Sequence, residues 1–199
     1  MLVTKTDPDA RHDHLVLAQE AASQLGLERV ILVPTGEAPH KRIEPEPGAE
    51  LRLELARAAA AGDELLEVSD LEVCRDGPSY TYRTLEVLAE RHPGAELSFL
   101  MGADVAEELE QWERPRRVLE LARVGMAARP GTSPDEAESA FERLGARDRL
   151  EVIAMPEIGV SSTAVRRRIA EGRPVRYLVP DAVAAMIAER GLYREAVAA

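Results

Sequence analysis

LSFLMGADVAEELEQW, residues 97–112, carries the pattern that decides the fold. LSFLM (97–101) is short and continuously apolar, as a strand covered on both faces of a sheet must be. It runs into Gly102-Ala103-Asp104, and a helix is predicted over 104–110. The same strand–loop–helix step recurs outward from this stretch. RVILV (29–33) is a second apolar run, closed by Pro34 and Gly36. LEVSDLEV (66–73) alternates like a strand, 123–128 reads as a weak strand ending in ARPG, and LEVIAM (150–155) reads as the last strand.

Helical patterns fill the intervals. LVLAQEAASQLGL (15–27) puts Leu15, Ala18, Ala22 and Leu25 on one face, and Gly26 stops it. Residues 49–61 are rich in Ala, Leu, Glu and Arg. GPSY (77–80) is turn chemistry, and Thr81 opens a helix to Arg91. Further helices are predicted over 115–122, 134–144, from Ser161-Ser162-Thr163 to Gly172, and from Pro180-Asp181 to Arg190. Strands that alternate with helices make βαβ units, so the fold class is α/β. The expected architecture is a doubly wound, Rossmann-like parallel sheet with a small helical C-terminal part. Residues 1–193 are expected to form one domain, with 194–199 a frayed tail. MLVT is short for a central first strand. No internal repeat or low-complexity segment interrupts the pattern.

Charge narrows the partners. The chain of 199 residues carries a formal net charge of -11, which repels nucleic-acid phosphates and anionic lipid. Nucleic acid and membrane are therefore not expected partners. An anionic ligand would need basic groups gathered at one place against that field. Cys74 is the single cysteine, so no intramolecular disulfide forms, in keeping with a reducing, cytoplasmic setting. No apolar run reaches the ~20 residues that span a bilayer, and the polar start MLVTKTDPDARHDH does not read as a signal peptide.

In a doubly wound sheet ligands sit beyond the carboxyl ends of the strands. That directs attention to the loops at 34–42, 77–81, 102–112 and 156–166. Ser161-Ser162-Thr163 with Arg166 one turn on can form an anion site at a helix N-terminus, or an ordinary N-cap followed by a solvated Arg face with Arg167 and Arg168. His40-Lys41 can close over phosphates, or belong to an exposed polar loop. Trp112 offers a stacking face for a flat ligand, or plain core. Thr81 at a helix start offers N–H donors, or only a turn. Gly102 lets backbone approach a ligand, and Asp104 either accepts from ribose hydroxyls or only caps its helix.

Taken together, VPTGEAPHK (33–41), GPSYTYRTLEVL (77–88), FLMGADVAEELEQW (99–112), ARPG (128–131), VSSTAVRRRIAEG (160–172) and YLVPDAV (177–183) resemble the bacterial nicotinate-nucleotide adenylyltransferases. The stretches fall in that family's order across residues 15–193. The resemblance implies a nucleotidyltransferase in NAD biosynthesis, which joins the AMP part of ATP to nicotinate mononucleotide and releases pyrophosphate. The nucleophile is already anionic, so catalysis there is positioning and charge neutralisation rather than the work of a triad. By resemblance the catalytic groups are His14, His40, Lys41 and Arg166. ATP is implied to lie on His14, Gly102, Asp104, Ser161, Ser162, Thr163 and Arg166. The nicotinate nucleotide is implied to lie on Ser79, Tyr80, Thr81 and Trp112, the indole stacking on its ring. No His, Cys and carboxylate cluster reads as a protein metal site, so Mg2+ is expected to arrive on the ATP phosphates. Oligomeric state stays open, a homo-oligomer included.

One segment departs from the family. Its first loop reads approximately G-T-F-D-P-I-H-x-G-H-L, whereas this chain has Thr6-Asp7-Pro8-Asp9-Ala10-Arg11-His12-Asp13-His14-Leu15. Aligned without gaps, His14 matches the second histidine, Arg11 replaces the first and Asp13 the glycine, and Thr4-Lys5 replaces a Gly-Gly pair. Placing His12 at the first histidine instead gives a spacing of i, i+2, which does not share a helical face. An aspartate ~4 Å from a phosphate adds ~4 kcal/mol of repulsion at an effective dielectric near 20. Residues 1–14 therefore look foreign to the rest. A displaced start or reading frame accounts for that better than a divergent, weakened or inactive enzyme. Two further functions are kept beside the first: a catalytically impaired nucleotide-binding homologue, and an adenylyltransferase for another acceptor such as phosphopantetheine. Trp112 with the PSYT turn argues against the last, because a flat anionic ring suits them.

Overall fold

In the computed structural model, residues 1–6, 12–38, 47–128, 135–156 and 159–194 are described. Six parallel strands form one sheet: β1 (Leu2–Thr6), β2 (Val30–Pro34), β3 (Leu66–Val68), β4 (Leu97–Gly102), β5 (Ala122–Ala128) and β6 (Leu150–Ala154). Their spatial order is β3-β2-β1-β4-β5-β6. The chain thus winds outward from β1 to β3, returns across it, and winds outward again from β4. The switch point lies between β1 and β4, whose pairing runs from Leu2↔Ser98 to Thr4↔Leu100.

The short first strand is nonetheless central. It pairs with β2 from Leu2↔Val30 to Thr6↔Pro34 and with β4 on its other edge. Leu2 and Val3 are wholly buried on opposite faces, so the LVTKT stretch is built into the sheet and, up to Thr6, is not foreign to it. The alternating run over 66–73 is a correction in the other direction. Only Leu66–Val68 is strand; at Ser69 the ladder ends and 71–74 turn, carrying Leu71 and Glu72 into the interior. The segment expected to be a weak strand is well buried, because Val124 and Met126 face α3 and its neighbours while both edges are paired.

The helices are α1 (His12–Leu25), α2 (Ala49–Ala60), α3 (Thr81–Arg91), α4 (Ala103–Glu107), α5 (Pro115–Leu121), α6 (Asp135–Arg143), α7 (Ser162–Ala170) and α8 (Asp181–Arg190). The helix expected over 104–110 is thus two pieces, α4 and a 3-10 turn at Leu109–Gln111. The strand period of two sorts the core. Val3, Val33, Phe99, Met101 and Met126 face one side, where Leu85 and Leu88 of α3, Val118 of α5 and Phe141 of α6 cover them. Leu2, Leu32, Leu100 and Ile153 face the other, against Ala18, Ala21 and Ala22 of α1. A third cluster joins Leu55 of α2 to Val165 of α7 and Val183 and Ile187 of α8, which docks the helical C-terminal part. Among the described residues no helix is long and apolar enough to cross a membrane.

Candidate active site

The loop after β2 and the turn before α3 are zipped together at the carboxyl end of the sheet. Glu37 bridges Pro78 in parallel, and the Ser79 N–H donates to the Glu37 carbonyl at 2.8 Å. Gly36 makes this closeness attainable. A Cβ there would stand 2.1 Å from the Glu72 carbonyl oxygen and 3.1 Å from Ser79 Oγ. The two stretches singled out in the sequence, 33–41 and 77–88, are therefore one assembly up to Ala38. His40 and Lys41 lie outside the described residues.

Arg52 holds the base of that loop. It is 5% exposed on the inward face of α2, in line with Ala56 and Ala60. Its guanidinium donates to the carbonyls of Thr35, Gly36 and Pro47, residues that flank 39–46 on both sides. The sequence signal for Arg52 was an arginine at an inward helical position, hidden by the even Leu/Glu/Arg texture around it.

The 77–81 turn, α3 and Trp112 share one face of the sheet. Tyr80 precedes α3 with extended backbone (φ -76, ψ 130), and Thr81 begins it, 7% exposed. The N–H groups of the first turn, Thr81 and Tyr82, are not used within the helix, which is what an anionic carboxylate needs. Ser79 is 2% exposed, and its Oγ has no hydrogen-bond partner among the described residues. Trp112 is half-buried, its ring edge-on to Phe99 with centroids 6.0 Å apart at 75°. It packs against the core on this same face, so it is part core and part open surface. Tyr80 and Tyr82 stack at 6.1 Å, with Arg83 over both rings and Arg114 over Tyr82 at 5.0 Å.

Gly102 ends β4 and is the N-cap of α4, so Asp104 sits inside the first turn and is not the cap. Its carboxylate lies over Gly102, where a Cβ would meet Oδ1 at 2.5 Å.

A group the sequence did not flag sits beneath the turn that precedes α3. Lys5 of β1 shares the face of Val3 and sends its ammonium to the Ser79 carbonyl at 2.7 Å and to Glu72 Oε1 at 3.1 Å. Thr84 Oγ1 donates to the same Glu72 oxygen at 2.6 Å. Glu72 is wholly buried, and its Oε2 has no hydrogen-bond partner among the described residues. Burial holds the Lys5 ammonium below its ordinary pKa; Glu72 opposes that shift and Arg75 adds to it. The available signals were a lysine inside a strand run and a glutamate inside an alternating one.

On the opposite face of the sheet stands α1, while α7 packs against α2 and α8. Ser161 is the N-cap of α7, its Oγ accepting from the Ala164 N–H at 3.1 Å, so this hydroxyl serves the helix. The N–H groups of Ser162 and Thr163 fall in the first turn and have no intrahelical acceptor. Ser162 Oγ is buried without a partner among the described residues. Thr163 is exposed and Arg166 half-buried one turn further. Arg168 is instead tied to the Pro174 carbonyl through Nε and Nη2. His14 is half-buried in the first turn of α1, the first helix after β1. Among the described residues no group of three or more His, Cys, Asp or Glu could hold a metal ion.

The sequence pattern of the cytidylyltransferase-like family matches residues 12–168. A probable nicotinate-nucleotide adenylyltransferase of Thermomicrobium roseum is 40% identical over 184 residues, covering 92% of this chain and 86% of that one. A protein of the same description from Roseiflexus sp. strain RS-1 is 41% identical, covering 92% of both. Among solved structures, the Plasmodium falciparum nicotinic acid mononucleotide adenylyltransferase complexed with NaAD has a TM-score of 0.76 over 96% of both chains. At 15% identity that likeness is one of fold.

Proposed function

The chain belongs to the nicotinate-nucleotide adenylyltransferases of the cytidylyltransferase-like family, and from that premise we propose that it transfers the adenylyl group of ATP to nicotinate mononucleotide. The products are deamido-NAD and pyrophosphate. Helix N-termini on both faces of the sheet support the assignment of sides. The start of α3 lies on the face that also carries Trp112, α1 lies on the opposite face, and α7 packs through Val165 against α2 and α8.

The chemistry asks for little more than that. An oxygen of the acceptor phosphate attacks the α-phosphorus of ATP, a new P–O bond forms, and the bond to the pyrophosphate oxygen breaks. Both partners are polyanions, so the protein must hold them in line and spread their charge. The N–H groups of Ser162 and Thr163, with Arg166 on the same helix face, receive the ATP phosphates. Ser161 acts on them indirectly, by fixing the start of α7. His14 faces the α-phosphate from α1, while His40 and Lys41 close from the loop that Arg52 anchors. Gly102 and Asp104 take the ribose. The indole of Trp112 stacks on the pyridine ring, and the Thr81 side of the α3 start binds its carboxylate. Mg2+ is carried in by the ATP phosphates and supplies further charge neutralisation. Residues 1–193 act as one domain, as a protein of the cytoplasm.

The deciding experiment is pyrophosphate release with ATP and each of three acceptors: nicotinate mononucleotide, nicotinamide mononucleotide and phosphopantetheine. Turnover with the first is expected. Turnover only with phosphopantetheine would replace the acceptor. ATP binding without turnover would favour the second reading, an impaired homologue, which Arg11 and Asp13 motivate.

A further inference from the structure

We propose that Lys5 is a specificity-determining residue whose ammonium attracts the carboxylate of the acceptor ring, so that an acidic pyridine is preferred over its amide. The inference rests on the function proposed above and adds to it a residue at which the family resemblance has a glycine.

Four observations converge. Lys5 projects from the end of β1 onto the sheet face that carries α3 and Trp112. Its Nζ lies on the peptide unit joining Ser79 to Tyr80, one residue from the α3 N-terminus. An ammonium has three N–H donors. The Ser79 carbonyl and Glu72 Oε1 take two, and the third has no acceptor among the described residues. Finally, the pair is asymmetric in exposure: the Glu72 side chain is 0% exposed and that of Lys5 22%. The group is sealed at its anion and open at its cation.

Arg75 acts on Lys5 as a second cation alongside the Glu72 carboxylate, in a chain of net charge -11. Ser79 Oγ adds a buried hydroxyl without a hydrogen-bond partner among the described residues, in the same turn. A carboxylate entering there meets a donor and a positive field. A carboxamide of the same shape meets the donor but gains nothing from the field. Glu72 and Thr84 hold the lysine chain in place, since a free lysine would lose rotamer entropy on binding.

The test is the ratio of kcat/KM for nicotinate to nicotinamide mononucleotide, together with calorimetric Kd values for both, in wild type, Lys5→Met, Lys5→Arg and Glu72→Gln. Lys5→Met should raise KM and Kd for the nicotinate nucleotide about tenfold or more and leave those for the nicotinamide nucleotide and ATP within about twofold, so the ratio collapses. Lys5→Arg should restore much of it. Glu72→Gln, which keeps a polar partner but removes the opposing charge, should hold or widen the ratio even if Lys5→Met folds poorly. A ratio unmoved in folded Lys5→Met, or narrowed in Glu72→Gln, overturns the proposal. Binding separates its failure from that of the function. A wild type that turns over the nicotinate nucleotide with Lys5→Met unchanged sinks only the role of Lys5. A wild type that binds neither nucleotide sinks both.

Discussion

Arg52 donates from Nε and Nη2 to the single carbonyl oxygen of Thr35, at 3.0 and 2.6 Å, and so fixes the exit of β2 to the first turns of α2. The same guanidinium reaches the Pro47 carbonyl at 2.8 Å. One buried side chain thereby sets the distance between the two ends of the segment that carries His40 and Lys41.

Arg52→Met removes that tie while filling a similar volume. Charge-assisted hydrogen bonds to a buried guanidinium contribute about 1.5–3 kcal/mol each way of counting, and the three carbonyls lose their donors together. A loss of about 3 kcal/mol corresponds to a Tm lowered by roughly 6–12 °C in a chain of this size. Calorimetry should record that fall, and kcat/KM for ATP should drop at least tenfold at a temperature where the variant is fully folded. A folded variant with unaltered kinetics would show that the loop ends need no anchor.

Gly36→Ala tests the join between the β2 loop and the acceptor turn. The added methyl would lie 2.1 Å from a backbone oxygen of Glu72, and backbone cannot yield as a flexible side chain can. The Glu37–Pro78 bridge should open and the start of α3 should shift. The expected outcome is a KM for nicotinate mononucleotide raised by more than tenfold with ATP affinity little changed, read by steady-state kinetics. Equal losses for both substrates would point to general unfolding instead.

How much of this could be read from the chain alone depended on the range of the interactions. The α/β class, the strand–loop–helix steps and the position of Thr81 at a helix start follow from periods and turn residues within about ten positions, and the structure agrees. The end of β3 at Val68 did not follow, because Leu71 and Glu72 keep a strand-like alternation while serving a turn. The Lys5–Glu72 pair spans 67 positions of sequence and Arg52 bonds across 17, so the residues stood out locally only as charges at inward positions and their partners did not. Ser161 was legible as part of an N-terminal hydroxyl cluster, but only geometry separates its capping hydroxyl from the buried Ser162 Oγ.

Trp112→Ala separates stacking from core packing. The indole meets Phe99 edge-on and leaves part of itself uncovered. Loss of a stacked ring is worth about 1.5 kcal/mol, or roughly tenfold in acceptor KM. Trp112→Phe should recover most of it. If the alanine variant lowers Tm but leaves the acceptor KM where it was, the tryptophan is core alone.

The pH dependence of stability should carry the mark of Lys5. Burial lowers its pKa in the folded state from 10.5, so the unfolded chain binds its proton more tightly than the native one. Stability from this group is therefore reduced at neutral pH, rises as pH climbs from the lowered value toward 10.5, and levels off above it. Lys5→Met has no such proton. The difference in unfolding free energy between wild type and Lys5→Met, measured by denaturant titration at several pH values, should move in favour of wild type as pH rises through that window. A difference flat across the alkaline range, or one that moves the other way, would mean that the Glu72 carboxylate outweighs the cost of burying the ammonium.

Asp13→Gly asks whether the first turn of α1 hinders the reaction. Asp13 and His14 both fall in that turn, in the first helix after the central strand. A carboxylate stabilises a free helix N-terminus but opposes a phosphate placed at the same point. At an effective dielectric near 20 and ~4 Å the repulsion is ~4 kcal/mol, and solvent screening at an open cleft will leave only part of it. The variant should therefore raise kcat/KM with ATP by at least tenfold while lowering Tm slightly, through loss of the favourable helix-end charge and the added freedom of glycine. The rise should shrink in high salt, since screening already supplies what the substitution does. Activity unchanged by Asp13→Gly at low ionic strength would place this carboxylate away from the phosphates, and with it the assignment of His14 to the α-phosphate would fall.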